Sequence, residues 1–167
     1  MQLIVADTTP LNYLILIRAV ESLPSLYQRV LIPVAVRAEL AHPSAPNIVR
    51  EWIARPSGWL EVASATYPID QGLAHLDLGE REAISLASEL RSGLLLMDER
   101  DGVRVARQRG LKVVGTLGVL DLAAERGLLD LRTMFDRLHE TTFRSPLRIM
   151  SKMLEQDAER KRRDIER

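Results

Sequence analysis

Short apolar runs alternate along the chain with longer stretches in which apolar residues recur every three or four positions. Runs that are continuously apolar are typical of strands covered on both faces of a sheet. They predict strands at Gln2–Ala6, Arg29–Pro33, Trp59–Val62, Gly93–Met97 and Leu111–Gly115. The periodic stretches predict helices at about residues 10–20, 33–41, 45–54, 79–91, 101–109, 117–126 and 130–139. This β-α alternation indicates an α/β fold with a parallel sheet and helices on both of its faces.

The predicted helix near residue 80 has the clearest pattern. Asp77-Leu-Gly-Glu80 resembles a capping box, and the apolar residues that follow recur with helical spacing, so that one stripe faces the core. At 100° per residue, Glu82 lies on one border of that stripe and Glu80 on the other. Both carboxylates are therefore candidates for a site beside this helix.

The C-terminal segment differs from the rest of the chain in its charge. Residues 145–167 predict a helix with a mildly apolar start, and from Glu155 onward it holds five acidic and five basic residues. Such an end is expected to be solvated, frayed or bound by a partner. We therefore divide the chain into a domain at residues 1–144 and a charged C-terminal helix or tail at residues 145–167.

The composition indicates one ordinary globular domain. The chain has 167 residues, 46% of them hydrophobic and 28% charged, and it contains no cysteine, which excludes disulfides, thiolate zinc sites and a cysteine nucleophile. It has no basic leader and no apolar run of the length that a membrane span requires. We expect a cytoplasmic protein.

The formal net charge of zero conceals an asymmetry. Residues 1–99 carry seven Lys or Arg and twelve Asp or Glu, whereas residues 100–167 carry sixteen and eleven. Chance distribution of solvated charges is one interpretation. The other is an acidic site that faces a basic rim, which suits a metal-dependent enzyme acting on a polyanion.

Four acidic residues stand near strand or helix ends. Asp7 and Asp98 follow apolar strands, Glu39 lies on the helix after the second strand, and Glu82 lies near the start of its helix. In an open parallel sheet the functional crevice lies beyond the carboxyl ends of the strands. Carboxylates gathered there would repel one another unless a cation neutralised them, and hard oxygen ligands favour Mg²⁺ or Mn²⁺. Thr116, which follows the last strand, is expected to face the same crevice.

A basic stretch follows Asp98 directly. From Arg100 to Lys112 there are five basic residues and one acidic residue, and Arg100, Arg104 and Arg107 fall on one face of the predicted helix. The stretch is either a solvated helix face or a phosphate-contacting rim that holds RNA over the acidic centre.

The ordered set of motifs resembles the PIN-domain ribonucleases, particularly a bacterial and archaeal branch related to VapC-type toxins. The resemblance covers roughly residues 3–140. Its motifs are Asp7-Thr-Thr-Pro-Leu, Pro33-Val-Ala-Val-Arg-Ala-Glu39-Leu, Leu78-Gly-Glu-Arg-Glu82-Ala-Ile-Ser-Leu-Ala, Leu95-Leu-Met-Asp98-Glu and Gly110-Leu-Lys-Val-Val-Gly-Thr116-Leu-Gly. It implies an α/β/α sandwich and a Mg²⁺- or Mn²⁺-dependent endonuclease active on single-stranded RNA.

Carried over by position, the resemblance assigns the family's acidic quartet to Asp7, Glu39, Glu82 and Asp98. Thr8 or Thr9 matches the small hydroxyl residue that follows the first acid and holds a carboxylate or a water in place. Many relatives have Asp where this chain has Glu82, so either Glu82 or the nearby Glu80 approaches the metal. Asp101 is either a further ligand or the N-cap of the next helix, and we favour the cap.

The functional hypothesis is a metal-dependent endoribonuclease, with a toxin of a toxin–antitoxin pair as its particular form. An antitoxin protein and a second copy of the chain are then the expected partners. The apolar residues of the first helix serve either such contacts or the core, and we favour the core; they are Leu11, Tyr13, Leu14, Leu16 and Ile17. The alternative is a PIN-like module that binds RNA or protein without cutting.

Overall fold

A computed structural model describes residues 3–66, 70–91 and 94–166. Within these ranges five strands form one sheet: β1 (Leu3–Ala6), β2 (Arg29–Pro33), β3 (Leu60–Ala63), β4 (Leu94–Leu96) and β5 (Lys112–Val114). The first α-helices are α1 (Thr8–Leu16), α2 (Leu23–Leu26), α3 (Val34–Leu40), α4 (Asn47–Ala54) and α5 (Leu78–Glu89). The later ones are α6 (Arg100–Gln108), α7 (Thr116–Glu125), α8 (Leu131–His139) and α9 (Leu147–Ile165), and short 3₁₀ helices occupy Val20–Ser22 and Gln71–Leu73.

The sheet is wholly parallel, in the order β3-β2-β1-β4-β5. The chain builds outward from β1 on one side through β2 and β3, and then returns to the other side of β1 for β4 and β5. The strand order therefore reverses between β1 and β4. In open α/β sheets this switch point is where a crevice forms beyond the carboxyl ends of the strands.

Alternate strand residues supply two separate hydrophobic clusters. Ile4, Val30 and Leu96 belong to a cluster with α1, α4, α7 and α8, whereas Val5 and Leu95 belong to a second cluster with α5 and α6. Because side chains of a strand point alternately to its two faces, each face of the sheet is covered by helices. The architecture is the α/β/α sandwich that the sequence predicts.

The element boundaries agree with the predicted ones to within a few residues, except in the first helical stretch. The predicted helix at 10–20 is α1, which ends at Leu16 and is followed at Arg18 by a left-handed backbone with φ of 61°. A 3₁₀ turn and α2 then continue the chain toward β2. Gln2 and Gly93, at the ends of two predicted strands, lie outside the described residues. No helix in the described ranges is long and apolar enough to cross a membrane.

The first helix packs as core. Leu11 and Leu14 are fully buried and Ile17 is 1% exposed, while Tyr13 and Leu16 are partly buried against the same cluster. This burial confirms the favoured interpretation of the early apolar residues.

The C-terminal helix α9 is ordered and attached, not frayed. It remains helical to Ile165, and Asp157 within its charged half is only 5% exposed. Arg160 donates to Asp121 of α7 at 2.6 Å, and Lys161 lies 3.1 Å from Asp130, the N-cap of α8. The expectation of a frayed end is therefore wrong for the described part of α9, whereas most of its charged side chains from Glu155 onward are exposed, as a solvated end predicts.

Candidate metal centre

Asp7 and Asp98 flank the point where the strand order reverses. The backbone N–H of Asp7 donates to the carbonyl of Leu96 at 2.9 Å, which continues the β1–β4 ladder by one residue. Asp98 follows β4 by two residues on the neighbouring strand. The structure thus places both strand-end aspartates at the edge that the sequence predicts.

The carboxylate of Asp7 is unusual in being buried, since the residue is only 3% exposed. The pKa of Asp7 is raised from 3.8 to about 8, chiefly by burial, with smaller contributions from the negative charges of Asp77, Glu80 and Glu39. The backbone N–H of Thr8 opposes the increase without cancelling it. Asp7 is therefore the centre of an acidic cluster in which an ionised carboxylate is strongly disfavoured without a cation.

Glu39 reaches this cluster from α3. The Thr8 hydroxyl donates a short hydrogen bond to Oε2 of Glu39, so Thr8 and not Thr9 orients a carboxylate. A Cβ on Gly79 would lie 2.8 Å from Oε1 of Glu39. The glycine at the start of α5 thus gives the Glu39 carboxylate the space it occupies.

Glu80 turns into the site from the first turn of α5. It is 6% exposed, its Oε2 accepts the N–H of Asp77 at 3.1 Å, and Asp77 in return accepts the N–H of Glu80, which completes the predicted capping box. The other oxygen, Oε1, lies 3.1 Å from where a Cβ on Gly102 would be. Burial raises the pKa of Glu80, and the charges of Asp77, Glu99 and Asp101 add to the increase.

Glu82 caps a neighbouring helix. Its Oε2 accepts the backbone N–H of Ala35 at 3.0 Å, at the start of α3. That helix has Pro33 at its N-cap and no side-chain cap of its own, so Glu82 satisfies one of its unpaired N–H groups. Of the two glutamates that the sequence leaves open, Glu80 is the one whose charge acts on Asp7.

Asp98 is held by the first residue of α7. Thr116 donates its backbone N–H to Oδ1 at 2.8 Å and its hydroxyl to Oδ2 at 2.5 Å, and Thr116 is fully buried. Burial raises the pKa of Asp98, while these two hydrogen bonds limit the increase. A Cβ on Gly115 would come within 2.7 Å of Oδ1, so a side chain at that position would displace the carboxylate.

The acidic residues of the site lack basic partners. Within the described ranges no lysine, arginine or histidine forms an ion pair with Asp7, Glu39, Glu80 or Asp98. In the same ranges no three Asp, Glu or His side chains converge closely enough to enclose a metal ion as they stand. The site is an uncompensated acidic cluster, and not a finished coordination shell.

Asp101 is not the N-cap that we favoured. The helix α6 begins one residue earlier than predicted, so Glu99 takes the N-cap position and Asp101 lies in the first turn. Asp101 is exposed and lies 3.6 Å from Arg104, a weak surface pair.

The sequence alone does not predict the role of two kinds of residue in the site. The sequence predicts Asp77 as a helix cap, but its charge also acts on Asp7. The other kind is the glycines that make room for carboxylates, Gly79, Gly102 and Gly115. The positions of Gly79 and Gly102 inside predicted helices are a signal in the sequence, since glycine is unfavourable there.

The five basic residues after Asp98 do not all lie in the same place. Arg100, Arg104 and Arg107 are exposed on α6 and line a groove that includes Asp98. Arg109 is held by Asp70 at 2.9 Å. Lys112 begins β5 and so lies at the opposite, amino edge of the sheet.

A family model described as a PIN domain, DUF3368, matches residues 3–159. The chain therefore belongs to the PIN-domain family, a class whose members are generally nucleases and typically use divalent metals. The match extends into α9, in agreement with the attachment of that helix to α7 and α8. No curated protein and no solved structure matches the chain.

Proposed function

We propose that this protein is a metal-dependent endoribonuclease that cleaves single-stranded RNA. The observation that carries the proposal is the buried carboxylate of Asp7, with Glu39 and Glu80 near it and no basic partner in the described part of the chain. A buried charge without a partner is costly, and groups in such a place usually pair or bind a metal. Family membership supports a nuclease in general.

The donor set fits a hard divalent cation. Carboxylate oxygens are the ligands that Mg²⁺ and Mn²⁺ prefer, and the described residues of the site offer no thiolate or imidazole that would favour a softer metal. Asp7, Glu39, Glu80 and Asp98 would hold the cation, with Glu82 kept as the alternative to Glu80. When bound, such a cation activates water and stabilises charge on a phosphoryl group.

The surrounding residues have positioning roles in this proposal. Thr8 holds Glu39 and Thr116 holds Asp98, so the two carboxylates at the periphery are each fixed by a hydroxyl. Burial of Asp7 excludes water from the centre and strengthens its interaction with any cation. The exposed arginines of α6 would bind the phosphates of the RNA beside the acidic cluster.

As a more specific form of this function, we propose that the enzyme is the toxin of a toxin–antitoxin pair in the cytoplasm. The support is the resemblance of its ordered motifs to VapC-type toxins. In that role an antitoxin would cover the acidic cluster, and a homodimer is expected.

The test is cleavage of a generic single-stranded RNA by the purified chain in EDTA, Mg²⁺ or Mn²⁺. The comparison variants are Asp7→Asn and, as a matched control on an exposed helix cap, Asp130→Asn. We expect metal-dependent cleavage by the wild type and the control, and none by Asp7→Asn. Absence of cleavage together with absence of Mn²⁺ binding would favour the module that binds without cutting.

A further inference from the structure

We infer that the groove along α6 binds about three nucleotides of single-stranded RNA on one side of the cleaved phosphate. This inference rests on the proposed function, because the groove begins at the acidic cluster. The groove has a volume of about 430 Å³ and is lined by Asp98, Arg100, Val103, Arg104, Arg107 and Gln108.

The direction of the groove follows from the fold. Asp98 lies at the carboxyl edge of the sheet, and α6 runs from there back along the sheet to β5. With a rise of 1.5 Å per residue, Arg100 and Gln108 are about 12 Å apart along the helix axis. Stacked nucleotides are spaced by about 3.4 Å along a strand, so this length corresponds to roughly three of them.

Three arginines of α6 line the groove at successive helical turns. Arg100, Arg104 and Arg107 follow one another at intervals of about one helical turn, on the same face of α6. Among the described residues, neither Arg100 nor Arg107 has an acidic partner, and the only pairing of Arg104 is the 3.6 Å contact with exposed Asp101. Each guanidinium is thus available to one phosphate.

The remaining lining residues suit the bases. Val103 is partly buried between the arginines and gives the groove an apolar patch against which a base can pack. Gln108 lies at the far end, and its side-chain amide both donates and accepts hydrogen bonds, as recognition of a base edge requires. Single-stranded RNA is recognised through such stacking and edge contacts. The occupant is therefore a strand with accessible bases, and not a duplex.

The experiment measures binding of the metal-free wild type, in EDTA, to fluorescently labelled oligouridylates of two, three, four and six nucleotides. We expect affinity to rise up to about three or four nucleotides and then to level off. Fluorescence anisotropy at several salt concentrations gives the slope of log affinity against log salt. Three phosphate contacts to a single strand correspond to a slope of about −2.

Single Arg→Gln variants test the assignment of the arginines. Substitution of Arg100, Arg104 or Arg107 should each flatten the salt slope by about 0.7. The matched control is Arg132→Gln, which removes an exposed arginine from α8 on the other face of the sheet and should leave the slope unchanged. Gln108→Ala should weaken binding about fivefold with the slope unchanged, because it removes a neutral contact.

Equal salt slopes in all four arginine variants would refute the binding of RNA in this groove. Binding of duplex RNA with the same affinity and the same arginine dependence would also refute the inference. Failure of the proposed function gives a different pattern. A chain that shows the expected binding but cuts no RNA in Mn²⁺ has the groove without the activity. A chain that cuts RNA while the three α6 variants keep the wild-type slope has the activity without the groove.

Discussion

Replacing Asp7 with asparagine should stabilise the metal-free protein, although it removes a residue of the proposed metal site. Asp7 is 3% exposed, and its pKa is raised from 3.8 to about 8. In the folded chain the carboxyl group therefore retains its proton up to about pH 8, whereas in the unfolded chain it ionises near 3.8. Asparagine keeps an oxygen that accepts the N–H of Thr8, and it has no proton to lose.

The sign and size follow from this pKa difference. The folded state binds the extra proton, so the free energy of unfolding of the wild type decreases as pH rises between 3.8 and about 8. The decrease is about 1.4 kcal/mol per pH unit and amounts to at most about 4 kcal/mol at pH 7. Asp7→Asn lacks this titrating group. The free energy of unfolding of Asp7→Asn should therefore exceed that of the wild type by under about 2 kcal/mol at pH 5 and by at most about 4 kcal/mol at pH 7.

The assay is urea denaturation of both proteins in EDTA at several pH values from 5 to 8. Asp130→Asn is the control, since hydrogen bonds from Thr133 and the contact with Lys161 lower the pKa of Asp130 to about 2. Asp130 is ionised in both folded and unfolded chains across this window, so its variant should show a difference that does not change with pH. If Asp7→Asn were less stable than the wild type throughout the range, the crowding of buried acids described above would be wrong.

Three further substitutions test neighbouring parts of the site. Gly115→Ala should displace the Asp98 carboxylate, because its Oδ1 lies 2.7 Å from the position of the new Cβ. Calorimetry should then show Mn²⁺ binding weakened severalfold. Gly58→Ala is the control, since Gly58 has open space around it and its substitution should leave Mn²⁺ binding unchanged. Thr116→Val should lower the free energy of unfolding by about 1.5–3 kcal/mol in urea denaturation, because Asp98 loses a buried donor. Glu82→Ala should destabilise the protein by about 1 kcal/mol through loss of the α3 cap, with Glu82→Gln close to wild type, and neither should change Mn²⁺ affinity if Glu80 is the ligand.

The sequence predicts the sheet and the two strand-end aspartates because both follow from local rules. The apolar run that follows Arg29 favours a strand covered on both faces, and the structure has the predicted strand with the same limits, Arg29–Pro33. The capping box at Asp77 and Glu80 is also local, since both partners lie within four residues.

Contacts between distant segments escaped prediction. The bond from Ala35 to Glu82 joins residues 47 positions apart, and no periodicity distinguishes a helix glutamate that caps another helix from one that faces a site. The same holds for α9, where Arg160 and Lys161 find partners on α7 and α8. A charged helix end has the same sequence pattern whether solvent or acidic side chains surround it.

The central claim is that the acidic cluster around Asp7 is a divalent-cation site, and calorimetric titration with Mn²⁺ tests it most directly. Wild type, Asp7→Asn and Asp130→Asn are compared at pH 7 without RNA. We expect the wild type and Asp130→Asn to bind Mn²⁺ with equal affinity and Asp7→Asn to show no measurable binding. Binding of equal strength by Asp7→Asn, or no binding by the wild type, would contradict the claim.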